Sequence, residues 1–278
     1  MTEPAVRVRD LRRDFRRPRT AIFSPRPVVT ALAGVSLDIP AQARFGIVGE
    51  SGSGKTTLMR LIAGLDTPTS GTVEVSGVDI TGLGEGKLGF LRKQLQVVFQ
   101  DPMGSLDPRM SIRQIIAEPL QVQRRSDIDE RVATVLGQVG LEADAAGRYP
   151  HQFSGGQRQR ISIARAIAPE PSILIADEAV SALDVTIRAQ ILDLIDSLCR
   201  DNDLTLIFVS HDLSVIRRMC DTVVVLRGGQ VVETGPTAEV YANPQQDYTR
   251  DLLAAVPTLE RSLALALARQ RAADEGEQ

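Results

Sequence analysis

The sequence predicts an α/β protein: a mainly parallel sheet core, an antiparallel β region at the N-terminus and an inserted α-helical subdomain. Three observations carry this. Val- and Ile-rich runs of strand length alternate with segments of helical periodicity along most of the chain, the pattern of a sheet covered by helices on both faces. The first three strand-like runs follow one another with no helical segment between them. Between residues 111 and 168 the alternation stops and three helical segments follow in succession.

In chain order, VRVRDL (6–11), ALAGVSLDI (31–39) and RFGIVG (44–49) read as strands, the third buried. Val and Ile enrichment bounded by Gly and Pro favours strands over short helices. KTTLMRLIAGL (55–65) has apolar residues at helical spacing. TVEVSG (72–77) alternates like an exposed strand, and LQVVFQ (95–100) is again a buried one. SIRQIIAEPLQVQ, DIDERVATVLGQVGL and SGGQRQRISIARAIA are the three inserted helices. SILIAD (172–177) is a strand, DVTIRAQILDLIDSLCR (184–200) a helix, LTLIFVS (204–210) a strand and DLSVIRRMC a helix. TVVVLRGGQVVETG is a hairpin turning at Gly228–Gly229. From about Pro257 the apolar residues thin out, which predicts a short helix and a frayed tail over 256–278.

Composition narrows the function. The 278 residues are 43% hydrophobic and 24% charged, ordinary for a globular protein with a sizeable core. A net charge of −3 argues against nucleic acid as partner, because phosphate backbones favour basic surfaces. No apolar run approaches the roughly 18 residues that span a bilayer, and MTEPAVRVRDLRR lacks the apolar stretch of a secretory signal. The expectation is a chain on the cytosolic side, docking on another chain for any membrane process. Cys199 and Cys220 match no metal spacing and read as ordinary structural residues. The arginines at 7, 9, 12, 13, 16, 17 and 19 form either a solvated basic face or a surface attracted to anionic lipid.

Gly49-Glu50-Ser51-Gly52-Ser53-Gly54-Lys55-Thr56 matches the phosphate-binding pattern G-x-x-x-x-G-K-[ST], after a strand and at the start of a helix. The glycines let backbone N–H groups converge on phosphate oxygens, and the helix N-terminus adds positive potential. Lys55 is placed to reach β- and γ-phosphates and the Thr56 hydroxyl to ligate Mg²⁺; Thr57 follows in the same turn. An apolar strand then ends in Asp177 and Glu178. Asp177 suits a Mg²⁺ carboxylate, and Glu178, one residue on, suits polarisation of an attacking water. Phe153-Ser154-Gly155-Gly156-Gln157-Arg158-Gln159-Arg160 opens a helix, with Ser154 as N-cap and two glycines that allow close approach to an anion.

That octapeptide closely resembles the signature of ABC ATPases, with Phe153 where Leu is commonest. The phosphate loop, signature and Asp–Glu pair occur in that family's order. The resemblance runs from about Val6 to Pro257 and implies a P-loop NTPase core of RecA-like type, with a cassette over 6–255 and a helical subdomain at about 101–165. It implies ATP and Mg²⁺, held between the phosphate loop of one chain and the signature residues Ser154, Gly155, Gly156 and Gln157 of another. It further makes Gln100 the Q-loop glutamine, acting in catalysis and near Mg²⁺, Ser181-Ala182-Leu183-Asp184 the D-loop, and His211 the switch histidine at the γ-phosphate. Phe15 lies where the family stacks an aromatic on adenine, with Phe23 as its rival. His151 matches no catalytic motif. Ala179 departs from the usual Pro after the catalytic carboxylate, so the site is expected to be active but differently tuned.

QDPMGSLDPRMSI, DEAVSALDVTIRAQIL and YANPQQDYTRDLLAAVP resemble the peptide and nickel importer branch, the last as a C-terminal extension from about 235. The resemblance implies two membrane permeases, a second cassette chain (a heterodimer favoured over a homodimer), an extracytoplasmic solute-binding protein and a place at the inner face of the cell membrane. Peptides are the favoured cargo, with nickel or another small solute as the alternative. A soluble non-transport ABC ATPase and a non-hydrolysing ATP-binding module are the competing readings.

Overall fold

The computed structural model describes residues 3–16 and 27–255. Phe23, Arg17, Arg19 and the expected C-terminal helix and tail at 256–278 lie outside the described residues. β1 (Pro4–Arg16) and β2 (Val28–Pro40) form a long antiparallel pair, with Val6 opposite Ile39 and Phe15 opposite Val29. After them come β3 (Arg44–Val48) and α1 (Lys55–Ile62). β4 (Ser70–Val75) and β5 (Val78–Asp79) then complete a four-stranded antiparallel sheet in the order β2-β1-β4-β5. Val6, Val8, Leu11, Leu32, Val35, Ile39, Val73 and Val75 are its buried face.

α2 (Gly89–Gln94), not anticipated from sequence, leads into β6 (Leu95–Val98), and one turn, α3 (Pro102–Ser105), follows. The three helices expected from periodicity form as α4 (Ile112–Val122), α5 (Ile128–Gln138) and α6 (Gly155–Ile167). A capping box, Ser111 with Gln114, starts α4 and supplies partners for N–H groups the helix cannot satisfy itself. The chain then returns to alternation: β7 (Ile173–Asp177), α7 (Val185–Asp201), β8 (Thr205–Ser210), α8 (Leu213–Met219), β9 (Thr222–Arg227) and β10 (Gln230–Pro236).

These strands make a six-stranded sheet in the order β10-β9-β3-β8-β7-β6, parallel except for β10. Successive residues face opposite layers. Ile173, Ile175, Ile207 and Val209 join the core shared with α1 and the antiparallel sheet, whereas Leu174, Ala176, Leu206 and Phe208 join the core under the helices. Both faces are therefore covered, and only the strand ends remain for chemistry. In an open parallel sheet, ligands bind beyond the carboxyl ends of the strands. Here register sets Val48 level with Ser210 and Val225, and Asp177 level with Val209. The residues after β3, β7 and β8 thus emerge side by side.

The N-terminal arginines are largely paired within the fold. Arg7 bonds Glu74, Arg9 bonds Asp38, Arg12 bonds Asp14 and Arg13 bonds Asp66. Among the described residues the structure favours the solvated face over a lipid surface.

Candidate active site

The loop after β3 is shaped by what cannot fit. At Gly49, φ is 151°, and a Cβ would stand 2.2 Å from the Leu226 carbonyl oxygen and 2.6 Å from Ser53 Oγ. Gly54, at φ 108°, starts α1, and a Cβ there would meet the Ala31 carbonyl oxygen at 2.7 Å. The Lys55 side chain folds back over this loop, donating to the Gly49 carbonyl at 2.7 Å and the Glu50 carbonyl at 2.9 Å. Burial pulls its pKa down, and the charges of Glu178 and Asp177 oppose that. Ser53 Oγ is buried with no hydrogen-bond partner. A glycine-walled cradle with a buried ammonium, an unsatisfied hydroxyl and a helix N-terminus suits a phosphate chain. Thr56 is exposed and Thr57 half-buried on the first turn of α1.

Asp177 ends β7 almost fully buried, and its carboxyl pKa is raised to about 6, first by burial and then by Glu178, with Lys55 opposing. Glu178 sits at φ 47°, a left-handed conformation uncommon outside glycine. Its N–H bonds the Val209 carbonyl at 2.9 Å, which holds the turn against the neighbouring strand. Such backbone strain concentrates where a side chain must be aimed. The Glu178 Oε1 lies 3.0 Å from His211 Nδ1. His211 in turn leaves β8 on a fixed path: Ser210 Oγ accepts the Asp212 N–H, and Asp212 caps α8 through the Ser214 N–H, both at 2.9 Å.

Gln100 lies two residues past the end of β6, although the apolar run had suggested a strand reaching it. Its Nε2 donates to Ser181 Oγ at 3.1 Å, and that hydroxyl donates to the Glu178 carbonyl at 3.0 Å. Ser181 therefore links Gln100 to the carboxylate loop. Its only sequence signal was membership of the Ser181–Asp184 segment.

Ser154 caps α6, accepting the Gln157 N–H at 3.3 Å, while Gln157 Oε1 accepts the Ser154 N–H at 3.0 Å. Ser154, Gly155 and Gln157 are exposed. A Cβ on Gly156 would stand 2.6 Å from Ile187 Cγ2, so that glycine lets α6 start close against α7. Asp184 caps α7 by accepting the Ile187 N–H at 3.0 Å. Arg188 reaches from α7 to Asp212 at 3.1 Å, tying this helix to the turn after His211. Phe153 is buried beneath the Arg148 guanidinium, a fitting replacement for an aliphatic anchor. Phe15 is 40% exposed, with Arg13 over one face of its ring at 4.6 Å and Arg13 held by Asp66.

The structure thus gathers the phosphate loop, Asp177, Glu178, His211 and Gln100 beyond the carboxyl ends of the parallel strands. The hydrogen bonds of Ser154, Gln157 and Asp184, among the described residues, close locally and do not reach the phosphate loop. The sequence analysis places Ser181 in the D-loop and Gly229 in the hairpin turn without the contacts seen here, and it does not single out Arg188. Gly229 donates to the Ser53 carbonyl at 2.9 Å and accepts the Ala33 N–H at 2.8 Å, clamping the loop to β2.

Comparison with known proteins identifies the family and the fold. A family model described as ABC transporter matches residues 32–181. The chain is 48% identical over 256 residues to the oligopeptide transport ATP-binding protein OppD of Mycobacterium tuberculosis, covering 91% of this chain and 42% of that protein. It is 47% identical over 263 residues to the glutathione import ATP-binding protein GsiA of Escherichia coli, covering 94% and 42%. The chain spans less than half the length of these relatives. Among solved structures, a dimeric post-hydrolysis ATP-binding cassette, MJ0796, bound to ADP and Pi, aligns with TM-score 0.74 and 29% identity over 84% of this chain and 98% of that one. The protein cbiO1 of Clostridium perfringens, part of an ABC transporter complex, aligns with TM-score 0.74 and 27% identity over 95% and 99%. With the family model matching more than half of the chain and these relatives aligned over nearly all of it, the chain belongs to the ABC transporter family, as one of its ATP-binding cassettes.

Proposed function

We propose that this chain binds and hydrolyses ATP to power an ABC importer for peptides. The observation that carries it is the meeting, beyond the carboxyl ends of the parallel strands, of the buried Lys55 cradle with Asp177 and the Glu178–His211 pair. The peptide assignment is supported by relatives named for oligopeptide and glutathione transport. The machine would hold two integral-membrane permeases, a second cassette and an extracytoplasmic solute-binding protein. No helix among the described residues is long and apolar enough to cross a membrane. By the importer reading, the permeases would hold the chain peripherally at the cytoplasmic face.

Loop amides and Lys55 would take the phosphate charge, and Phe15 would stack on adenine. Glu178 would orient the water that attacks the γ-phosphorus as the bond to the ADP oxygen breaks, with His211 fixing the Glu178 carboxylate and meeting the γ-phosphate. Ser154, Gly155, Gly156, Gln157 and Asp184 would face the nucleotide held on the second cassette's phosphate loop. No group of three or more His, Cys, Asp or Glu side chains that could hold a metal occurs among the described residues. Mg²⁺ needs only one or two carboxylates when phosphates complete its shell, so Thr56, Asp177 and Gln100 fit a site finished by the nucleotide. Mg²⁺ there would neutralise charge developing on the phosphate oxygens.

Phosphate release by the assembled complex tests this. Lys55→Ala should lose nucleotide binding and turnover together. Glu178→Gln should keep the nucleotide and slow hydrolysis by about a hundredfold or more, the usual weight of a positioned base. Near-normal turnover in either variant would overturn the assignment.

A further inference from the structure

Beyond β10 the chain forms α9 (Thr237–Ala242) and α10 (Asp247–Ala255), to which none of the roles above falls. The turn between them is tightly fixed. The Glu233 carboxylate accepts the N–H groups of Gln245 at 2.8 Å and Gln246 at 3.2 Å. Arg250 donates through Nη1 to the Pro244 carbonyl at 3.0 Å and through Nη2 to the Asp247 carboxylate. Tyr248, in the first turn of α10, consequently has a set position. Its ring is buried beneath the Arg227 guanidinium, 4.6 Å from the centroid. Its hydroxyl oxygen accepts the N–H of Glu50 at 3.2 Å.

Glu50 is, with Gly49, one of the two loop residues whose carbonyls accept from Lys55 Nζ. One residue is therefore held from the arm on its amide side and holds the lysine on its carbonyl side. A second tyrosine does similar work nearby: Tyr241 donates to the carbonyl of Leu213, two residues past His211. The arm touches the backbone on both flanks of the site.

We propose that Tyr248 is a positioning residue for the phosphate loop, through which the C-terminal arm is coupled to nucleotide binding. This rests on the reading of the loop as a nucleotide site. A loop with three glycines in six residues loses much conformational freedom when it closes on a ligand. A rigid external acceptor on Glu50 removes part of that freedom beforehand, which raises affinity. Coupling is reciprocal, so nucleotide on the loop must also steady α10.

The test is equilibrium titration of the purified full chain with MgADP, which binds without turnover. Tyr248→Phe keeps the ring and its Arg227 contact and deletes only the hydroxyl. Its Kd should rise roughly threefold to tenfold, the range of one hydrogen bond. Hydrogen exchange of the α10 amides should slow on nucleotide binding in the wild type and respond far less in the variant. A Kd for Tyr248→Phe equal to that of the wild type overturns the proposal alone. A wild-type chain that binds no MgADP overturns the nucleotide-site reading and this inference with it. Glu233→Gln loosens the arm from a distance and supplies a second route. It should raise Kd in the same direction, with the double variant no weaker than Tyr248→Phe alone. An unchanged Kd in folded Glu233→Gln, or a fully additive double variant, also overturns it.

Discussion

At Asp177 the needs of chemistry and of stability diverge. Burial and the neighbouring Glu178 raise its pKa to about 6, so the folded chain binds this proton more tightly than the unfolded chain, whose carboxylates titrate near 4. A raised carboxyl pKa gives stability that is fully present at low pH and lost as pH climbs from about 4 to about 6. Above that window the ionised Asp177 costs the fold about 3 kcal/mol. Asp177→Asn cannot ionise. It should match the wild type in thermal stability near pH 4 and exceed it by a widening margin up to pH 6, with the gap level beyond. Melting curves from pH 4 to pH 8 would check this, and a gap that ignores pH would refute it. The same residue should be needed for turnover, because the carboxylate whose charge burial disfavours is the one proposed to hold Mg²⁺. A group kept unfavourable in the resting protein and relieved by its ligand is a common mark of a functional site.

Among the elements, the β9–β10 hairpin has more to do than turn the chain. Gly228 and Gly229 both have positive φ, at 55° and 78°, but their surroundings differ. A Cβ at Gly228 would meet nothing within 4 Å, whereas one at Gly229 would stand 2.6 Å from the Ala31 carbonyl oxygen. Gly228→Ala should therefore cost only the left-handed penalty of about 1–2 kcal/mol. Gly229→Ala should cost clearly more, add several degrees to the loss in Tm, and weaken nucleotide binding by shifting the Ser53 anchor. Equal losses in the two variants would show that the clamp is not steric. Sequence predicted this hairpin and its turn but not the clamp. The reason is distance along the chain: motif residues advertise themselves locally, whereas Gln100 meets Ser181 across 81 positions and Glu50 meets Tyr248 across 198. The parallel strands were legible to within a residue or two because both of their faces are buried and apolar. β1 was read too short, as 6–11 rather than 4–16. Its register shifts between Val8 and Leu11, again at Arg12 and again before Asp14, which breaks the alternation on which a strand is recognised. α2 escaped because it has six residues and one buried side chain, Leu91.

For the whole molecule, assembly turns on what faces the start of α6. Ser154, Gly155 and Gln157 are exposed there, and an exposed helix N-terminus with its cap already satisfied favours an anion. In the proposed sandwich that anion is the γ-phosphate on a second cassette. We predict that the second cassette is a related but different one. The branch resemblance supports this. Gly155 offers a clean probe, since a Cβ there would meet nothing within 4 Å and the fold should tolerate a side chain pointing outward. Gly155→Asp places a carboxylate against the phosphate bound by the partner and should disable that site. With two different cassettes, the site built on this chain's own Lys55 keeps its local chemistry and one nucleotide per complex should still bind tightly. With two identical chains the same substitution strikes both sites, and tight binding should vanish. Native mass spectrometry of the complex, purified through a tag on this chain, counts cassettes and retained nucleotides together. Two copies of this chain with no other cassette would refute the prediction. So would loss of both nucleotides from the Gly155→Asp complex.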